Sequence, residues 1–241
     1  MLKRAYVRYR DTLPDGANLC AAADGFSRLG VEIVPFYGFG DVAQLEGLGP
    51  EACVCGYICD VNAAMDALGL PRPELDDYPP ELHAFMGRDF GSSTLGEVKS
   101  HPGRHVFIKP KQQKLFTGLV WDNSHETRVK LASYPDETAV YVSGVVDFVS
   151  EYRSFILHND ILDVRRYRGD WSVAPDHATV KAAVAACPPS PVAFALDWGI
   201  TDDGRTLLVE RNDFTALGHY GLRSELYAQG IEARWLELTR R

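Results

Sequence analysis

The sequence contains no apolar run long enough to span a bilayer, and it has no low-complexity tract. Glycine (21) and proline (14) are at ordinary levels in 241 residues, which excludes a collagen-like or wholly disordered chain. Basic residues are in the minority, since 25 Lys and Arg stand against 33 Asp and Glu and the net charge is −8. Such an acidic chain is a poor candidate for coating nucleic acid or an anionic membrane, and we expect neither partner.

Several familiar catalytic motifs are also missing. The chain has no G-x-x-x-x-G-K-[ST] phosphate loop and no H-E-x-x-H zinc motif. A G-x-G-x-x-A pattern does occur over 38–43, after a predicted strand. Gly47, Gly49 and Pro50 interrupt the helix whose N-terminus would have to hold a pyrophosphate, so we do not interpret this pattern as a dinucleotide site.

The chain has five cysteines, an odd number. Cys53, Cys55 and Cys59 cluster in an apolar segment, but a zinc site would need a fourth ligand and usually a C-x2-C spacing. We therefore interpret them as reduced thiols, Cys53 and Cys55 in a core strand, and expect a reducing, cytoplasmic compartment.

The hydrophobic pattern divides the chain into two kinds of structure. Up to residue 70 it predicts a β-α-β-β-α order, which is typical of a small, parallel sheet. Closely spaced strands with tight turns then predict antiparallel hairpins, with a helix over 176–186. We expect an α/β (α+β) fold with three parts, an N-terminal lobe (1–70), a Pro- and Gly-rich connector with a short helix (71–104) and an antiparallel nucleotide-binding region (105–241).

An acidic hairpin near the end of the chain is the most informative element. Asp203-Gly204 lies between two apolar runs and predicts a two-residue turn, which pairs Asp197 with Glu210. Asn212 then shares their face, because alternate residues of a strand point to the same side. Opposed carboxylates are unfavourable unless a cation lies between them, and hard oxygen ligands suit Mg²⁺ bound with phosphates. The alternative is an ordinary solvated polar face.

A second hairpin is rich in arginine. A turn on Asn159-Asp160 pairs Arg153 with Arg166 and Glu151 with Arg168. Facing guanidinium groups favour an anion between them, such as a polyphosphate. The alternative is a set of surface arginines that form ion pairs with Glu151 or Asp163.

A group of lysines follows a third apolar strand. Lys109 closes the strand 105–109, and Lys111 and Lys114 lie in the loop beyond Pro110. From the end of a strand, the Lys109 ammonium is positioned to reach a phosphate. The alternative is a solubilising turn.

These three elements, in this order, resemble the ATP-grasp superfamily, and in detail a compact clade found in bacteria and phages. The resemblance covers most of residues 52–222. It implies that Lys109, Lys114, Arg153 and Arg166 neutralise phosphate charge during catalysis, and that Asp197, Glu210 and Asn212 bind two Mg²⁺ ions. It also implies a nucleotide-binding set, in which 139–147 form the adenine hinge and Asp147 takes the ribose contact: Lys109, Lys111, Ser143, Val145, Asp147, Glu151, Arg153.

The resemblance further implies the reaction. It predicts an ATP-dependent carboxylate–amine ligase in which Mg·ATP lies between two lobes, and an acylphosphate forms before an amine displaces phosphate. The expected partners are a small-molecule or peptide carboxylate and an amine. Arg165 and Arg168 are alternatives for holding the carboxylate, and His219 and Tyr220 could orient the amine or simply pack. Two other functions remain open at this point: a nucleotide-binding module without turnover, and a phosphotransferase acting on a hydroxyl.

Overall fold

The computed structural model describes residues 2–74 and 76–240. Their N-terminal part is a small sheet whose central strand β1 runs parallel to β3 on one side and β4 on the other, with β2 antiparallel to β1. This confirms the predicted β-α-β-β-α lobe. Its elements are β1 (Arg4–Arg10), β2 (Leu13–Pro14), α1 (Ala17–Arg28), β3 (Glu32–Phe36), a 3-10 helix (Phe39–Gln44), β4 (Ala52–Cys55) and α2 (Ile58–Ala67).

A second, antiparallel sheet has the strand order β5-β8-β6-β7. The short helix predicted in the connector is a 3-10 helix over Pro80–Phe85. The pattern of residues 90–99 did not predict the strand and helix that lie there. The elements of this part are β5 (Phe90–Thr94), α3 (Leu95–Lys99), β6 (Val106–Pro110), β7 (Leu119–Trp121), α4 (His125–Lys130) and β8 (Ala139–Ser143).

The third sheet is also antiparallel, in the order β10-β9-β11-β12. One face is covered by α5, and the other packs towards the N-terminal lobe. The antiparallel C-terminal region and the mixed α/β class are therefore as predicted. Its elements are β9 (Ser150–Leu157), β10 (Asp160–Gly169), α5 (His177–Ala186), β11 (Ala193–Ile200), β12 (Thr206–Asp213), a 3-10 helix (Phe214–Ala216) and α6 (Ser224–Thr239).

Helix α6 is the element that joins the N-terminal lobe to the third sheet. Tyr227, Ile231 and Trp235 recur every four residues and are buried against side chains of both parts. The indole of Trp235 donates to the carbonyl oxygen of Gly49 (2.8 Å), across to the N-terminal lobe. The sequence interpretation missed this helix, although its four-residue spacing is a recognisable signal.

Gly25 allows α1 and α6 to approach closely. A Cβ at this position would lie 2.0 Å from the carbonyl oxygen of Ser224, a backbone atom that cannot turn away. We expect Gly25→Ala to lower the free energy of unfolding by roughly 2 kcal/mol, because overpacking forces the helices apart. Thermal unfolding measures this effect. Gly38, with open space around its Cβ position, is the matched control, and equal melting temperatures for Gly25→Ala and Gly38→Ala would contradict the packing argument.

Within the described residues, no helix combines the length and apolarity needed to cross a membrane. Cys53 and Cys55 are buried in β4 with their sulfur atoms 3.8 Å apart, whereas Cys59 is exposed on α2. The G-x-G-x-x-A segment forms a 3-10 helix, and the carboxylate of Asp41 accepts hydrogen bonds from the N–H groups of Tyr37 and Gly38.

Candidate active site

A cavity of about 650 Å³ lies where the three parts of the fold meet. Strand β6 supplies Lys109, β9 supplies Arg153, and β11 and β12 supply the acidic hairpin. Helix α2 closes the N-terminal side with Ile58, Val61 and Asn62. The cavity is therefore built from chain segments that are far apart in sequence.

The acidic hairpin places its three polar side chains together, as predicted. Asp197 pairs with Glu210 across the β11–β12 ladder. The amide nitrogen of Asn212 donates to Oδ2 of Asp197 (3.1 Å) and to Oε1 of Glu210 (3.2 Å). All three groups line the cavity, so the solvated-face alternative does not describe them.

The details of that hairpin differ from the prediction. Near the turn, Trp198 pairs with Leu208, one residue out of the predicted register, and a β-bulge at Val209 restores the Asp197–Glu210 pair. The guanidinium of Arg88 donates to the carbonyl oxygens of Leu208 (2.7 Å) and Val209 (3.3 Å). A residue from the connector thus binds both carbonyls next to the bulge.

Arg153 and Asp197 form a buried, bidentate ion pair. Nε of Arg153 lies 2.7 Å from Oδ1 of Asp197, and NH2 lies 2.6 Å from Oδ2. The two side chains are only 7% and 5% exposed, so water screens the pair weakly. This pair holds one of the three candidate ligands at the wall of the cavity.

Lys109 connects the second sheet to the acidic hairpin. Its ammonium nitrogen lies 2.5 Å from Oε2 of Glu210 and 2.5 Å from Oδ2 of Asp77. The same nitrogen is 5.3 Å from the centre of the Tyr78 ring. Asp77 is a cavity residue that sequence reasoning missed, because nothing in the connector sequence distinguishes it from other surface acids.

Burial and ion pairing together determine the protonation of these groups. Burial raises the pKa of Asp197 despite the adjacent Arg153. Burial also opposes ionisation of Glu210, but the Lys109 ammonium outweighs it and the pKa of Glu210 lies below its usual value. Burial would lower the pKa of Lys109, but the carboxylates of Glu210 and Asp77 outweigh it and raise that pKa. Lys109 is therefore charged and Glu210 ionised at neutral pH.

The arginine hairpin corrects the predicted register. Its turn is His158-Asn159, both in the left-handed region (φ 50° and 66°), one residue earlier than predicted. Arg165, not Arg166, consequently faces Arg153, and Arg166 is paired with Tyr152 on the other face. The exposed Arg166 donates to the carbonyl oxygen of Gly169 (2.6 Å) and does not line the cavity, so we do not carry its predicted role forward.

The Glu151–Arg168 pairing in the same hairpin is as predicted. A second register irregularity, between Arg166 and Arg168, brings the two residues opposite each other. NH1 of Arg168 lies 2.7 Å from Oε1 of Glu151. Arg165 forms an ion pair with Asp163 at 2.5 Å, and neither Arg165 nor Arg168 is among the described residues that line the cavity.

Two tyrosines cover the Arg153 guanidinium. The rings of Tyr167 and Tyr220 are stacked with their centres 4.8 Å apart, and the Arg153 guanidinium carbon lies 4.9 Å from the Tyr220 ring. Tyr220 has a φ of 43°, a conformation that non-glycine residues adopt rarely and often at functional sites. Both tyrosines line the cavity, whereas the backbone N–H of His219 donates to Asn18 (3.0 Å) in the N-terminal lobe.

The predicted hinge lies between the two antiparallel sheets. Residues 144–149 connect β8 to β9, and the N–H of Gly144 donates to the carbonyl oxygen of Asp89 (3.0 Å). Ser143 is buried and Asp147 exposed, and neither these two nor Val145 borders the 650 Å³ cavity. The cavity therefore lies away from this segment.

The two loop lysines differ in position. Lys114 lines the cavity with its backbone in the left-handed region (φ 61°). Lys111 lies outside the cavity lining, and its ammonium nitrogen is 5.1 Å from the Tyr141 ring.

The comparisons with known proteins identify the family. The sequence model of the ATP-grasp domain, R(2)K clade family 2, matches residues 85–230. This match spans more than half of the chain, and the chain therefore belongs to this clade of the ATP-grasp family. The comparison with curated proteins found no match.

Solved structures show the same fold. The D-cycloserine synthetase DcsG is 14% identical (TM-score 0.61, 95% of this chain and 98% of that chain covered). The ATP-grasp ligase PsnB, complexed with a minimal precursor, is 11% identical (0.51, 97% and 100%). The D-alanine–D-alanine ligase of Bacillus anthracis is 11% identical (0.59, 100% and 98%), and its complex with ATP is 13% identical (0.55, 98% and 94%).

Proposed function

We propose that this chain is an ATP-dependent carboxylate–amine ligase that acts through an acylphosphate. The observation that carries the proposal is the joining of an acidic hairpin, Asp197, Glu210 and Asn212, to two cations, Lys109 and Arg153, at one cavity. Paired acids and bases at the junction of two sheets can bind metal and phosphate together. The ligase neighbours of this fold support the reaction class, and the fold alone does not define the substrates.

The donor set fits magnesium bound together with nucleotide. Among the described residues no group of three His, Cys, Asp or Glu could hold a metal by itself. Two carboxylates and an amide are, however, the kind of partial oxygen set that Mg²⁺ takes when phosphates and water complete its shell. Asn212 would contribute its amide oxygen after a half-turn of the amide. Bound Mg²⁺ supplies charge neutralisation of the phosphates.

The chain's own cations then have defined tasks. Lys109, Arg153 and Lys114 border the cavity and would offset the negative charge on the transferring phosphoryl group. A substrate carboxylate oxygen attacks the γ-phosphorus, ADP leaves, and the acylphosphate forms. An amine nitrogen next attacks the acyl carbon and loses a proton as phosphate leaves. The protein contributes position and charge rather than a nucleophile of its own.

The nucleotide base is expected on the hinge side of the cleft. We propose that Ser143, Val145 and Asp147 contact the adenosine, because they belong to the segment that joins the two antiparallel sheets. Lys111 and Glu151 stay in the proposed nucleotide set as residues on either side of that segment. A structure with an ATP analogue tests these contacts directly.

Trapping with hydroxylamine tests the reaction without knowledge of the amine. The purified protein is incubated with Mg·ATP, hydroxylamine and pools of carboxylates, namely amino acids, dicarboxylates and short peptides. We expect one pool to increase ADP release and to yield a hydroxamate, which reports an acylphosphate. Binding of ATP without ADP formation in any pool would favour a binding module, and a phosphate ester as product would favour a phosphotransferase.

Lys109→Met should weaken Mg·ATP binding by roughly tenfold or more, measured by calorimetry. The substitution removes a buried cation beside the phosphates and leaves Asp77 and Glu210 without their shared partner, so two carboxylates then repel the nucleotide. Lys130→Met is the control, since Lys130 is exposed and paired only with Glu126 on α4. An unchanged dissociation constant in Lys109→Met would remove Lys109 from the nucleotide site.

A further inference from the structure

Asp77 occupies an unusual position for a connector residue. It precedes the region matched by the family model, yet its carboxylate lines the cavity and lies directly across Lys109 from Glu210. Its side chain is 13% exposed. The reaction proposed above assigns it no task, so a buried charge at the centre of the cavity is left to explain.

The backbone on either side of this carboxylate is held firmly to β12. The N–H of Arg211 donates to the carbonyl oxygen of Asp77 (2.9 Å), and the Arg211 guanidinium donates to that of Asp76 (2.9 and 3.1 Å). Arg211 directly follows Glu210, so the connector is attached next to a proposed metal ligand. Asp77 therefore cannot withdraw to solvent without breaking these bonds.

The surroundings of Asp77 already form a place for an ammonium group. The Lys109 nitrogen sits between the Asp77 and Glu210 carboxylates and beside the face of Tyr78, 5.3 Å from its centre. A carboxylate and an aromatic ring are both favourable to an alkylammonium ion. The described residues offer no third His, Cys, Asp or Glu that would make this a metal site.

Nucleotide binding changes the charge balance at this place. Two cations, Lys109 and Arg153, stand against three carboxylates, Asp77, Asp197 and Glu210. When Lys109 turns to a phosphate, the buried Asp77 loses its partner, and an unpaired buried charge is strongly unfavourable. A second ammonium ion at the same place restores the balance.

We infer that Asp77, with the ring of Tyr78, binds the protonated amino group of the acceptor after Lys109 has turned to the nucleotide. The acceptor is thus a primary amine that enters the cavity as a cation. This inference rests on the proposed ligase function and specifies the charge and binding residue of its second substrate. Asp77 also competes with the phosphates for Lys109 in the enzyme without nucleotide.

The test uses Asp77→Asn, which keeps the shape and removes the charge, with Asp76→Asn as the matched control. Asp76 lies next in sequence but makes no contact with Lys109, and its carboxylate accepts a bond from the Tyr78 N–H (2.9 Å) that asparagine can retain. We expect Asp77→Asn to bind Mg·ATP roughly three- to tenfold more tightly, because a negative charge near the phosphates is gone. Weaker binding in Asp77→Asn alone would overturn the inference.

The second measurement compares two kinds of nucleophile with the carboxylate found by trapping. Hydroxylamine is largely uncharged at neutral pH, whereas the pool of primary amines is protonated. We expect Asp77→Asn to keep hydroxamate formation near the wild-type rate and to lose roughly tenfold or more of amide formation. A merely structural role would lower both equally, and that result would overturn the inference.

Failure of the two proposals can be told apart. If the wild-type enzyme forms neither hydroxamate nor amide, the ligase function fails and the acceptor role fails with it. If the wild type forms both and Asp77→Asn matches it with both nucleophiles, the ligase stands and only the role of Asp77 is wrong.

Discussion

Replacing Glu210 by Gln is expected to lower turnover about a hundredfold or more while the fold stays intact. Glu210 is a proposed magnesium ligand and the partner of the Lys109 ammonium at 2.5 Å. Glutamine has nearly the same volume and retains an oxygen that can accept from Lys109 or Asn212. It lacks the charge, however, and one ligand charge is worth several kcal/mol where a metal stabilises phosphoryl transfer.

ADP release in the trapping assay measures this loss, and thermal unfolding verifies the fold. The low pKa of Glu210 means that the wild-type carboxylate is ionised across the neutral range, so the comparison holds at any pH used for the assay. Glu137→Gln is the control, since Glu137 is exposed and lies outside the cavity lining. Near-normal turnover in Glu210→Gln would remove this residue from the active centre.

Replacing Arg153 by Met should lower the free energy of unfolding by about 3–5 kcal/mol, because it leaves the buried Asp197 carboxylate without its partner. In a chain of this length the loss corresponds to a fall in melting temperature of roughly 10 °C. Few surface ion pairs would have such an effect, but this pair is bidentate and both side chains are less than a tenth exposed.

The double variant Arg153→Met/Asp197→Asn separates charge from packing. It removes the unpaired carboxylate, and we expect it to recover at least about half of the lost stability while activity stays absent. Recovery of much less would assign the loss to the contacts of Arg153 with the Tyr167 and Tyr220 rings. An unchanged melting temperature in the single variant would contradict the buried-pair argument itself.

The two hairpins show how far a sequence pattern reaches. At the acidic hairpin, the predicted Asp197–Glu210 pair is right, although it depends on a bulge at Val209 that the turn sequence does not reveal. Arg88, more than a hundred residues away, binds the carbonyls at that bulge. Local turn chemistry thus brought the strands together, and a distant side chain determined the final register.

At the arginine hairpin, a one-residue error exchanged the two faces of β10. The prediction faced Arg166 to Arg153, and the structure faces Arg165 to it. A turn sequence such as His158-Asn159-Asp160 permits either two-residue turn, and the two choices differ by a full reversal of side-chain direction. Only the packing of Tyr152 on the covered face selects between them.

The sequence by itself determined the parts of this protein that depend on near neighbours. These are the parallel N-terminal lobe, the antiparallel hairpins, and the order of lysine, arginine and acidic trio that identified the family. Tertiary structure alone decided what lies beside them: Asp77 against Lys109, and α6 between the lobe and the third sheet. Periodicity and turn residues act over a few positions, whereas an ion pair or a packed helix depends on distances that no local pattern contains.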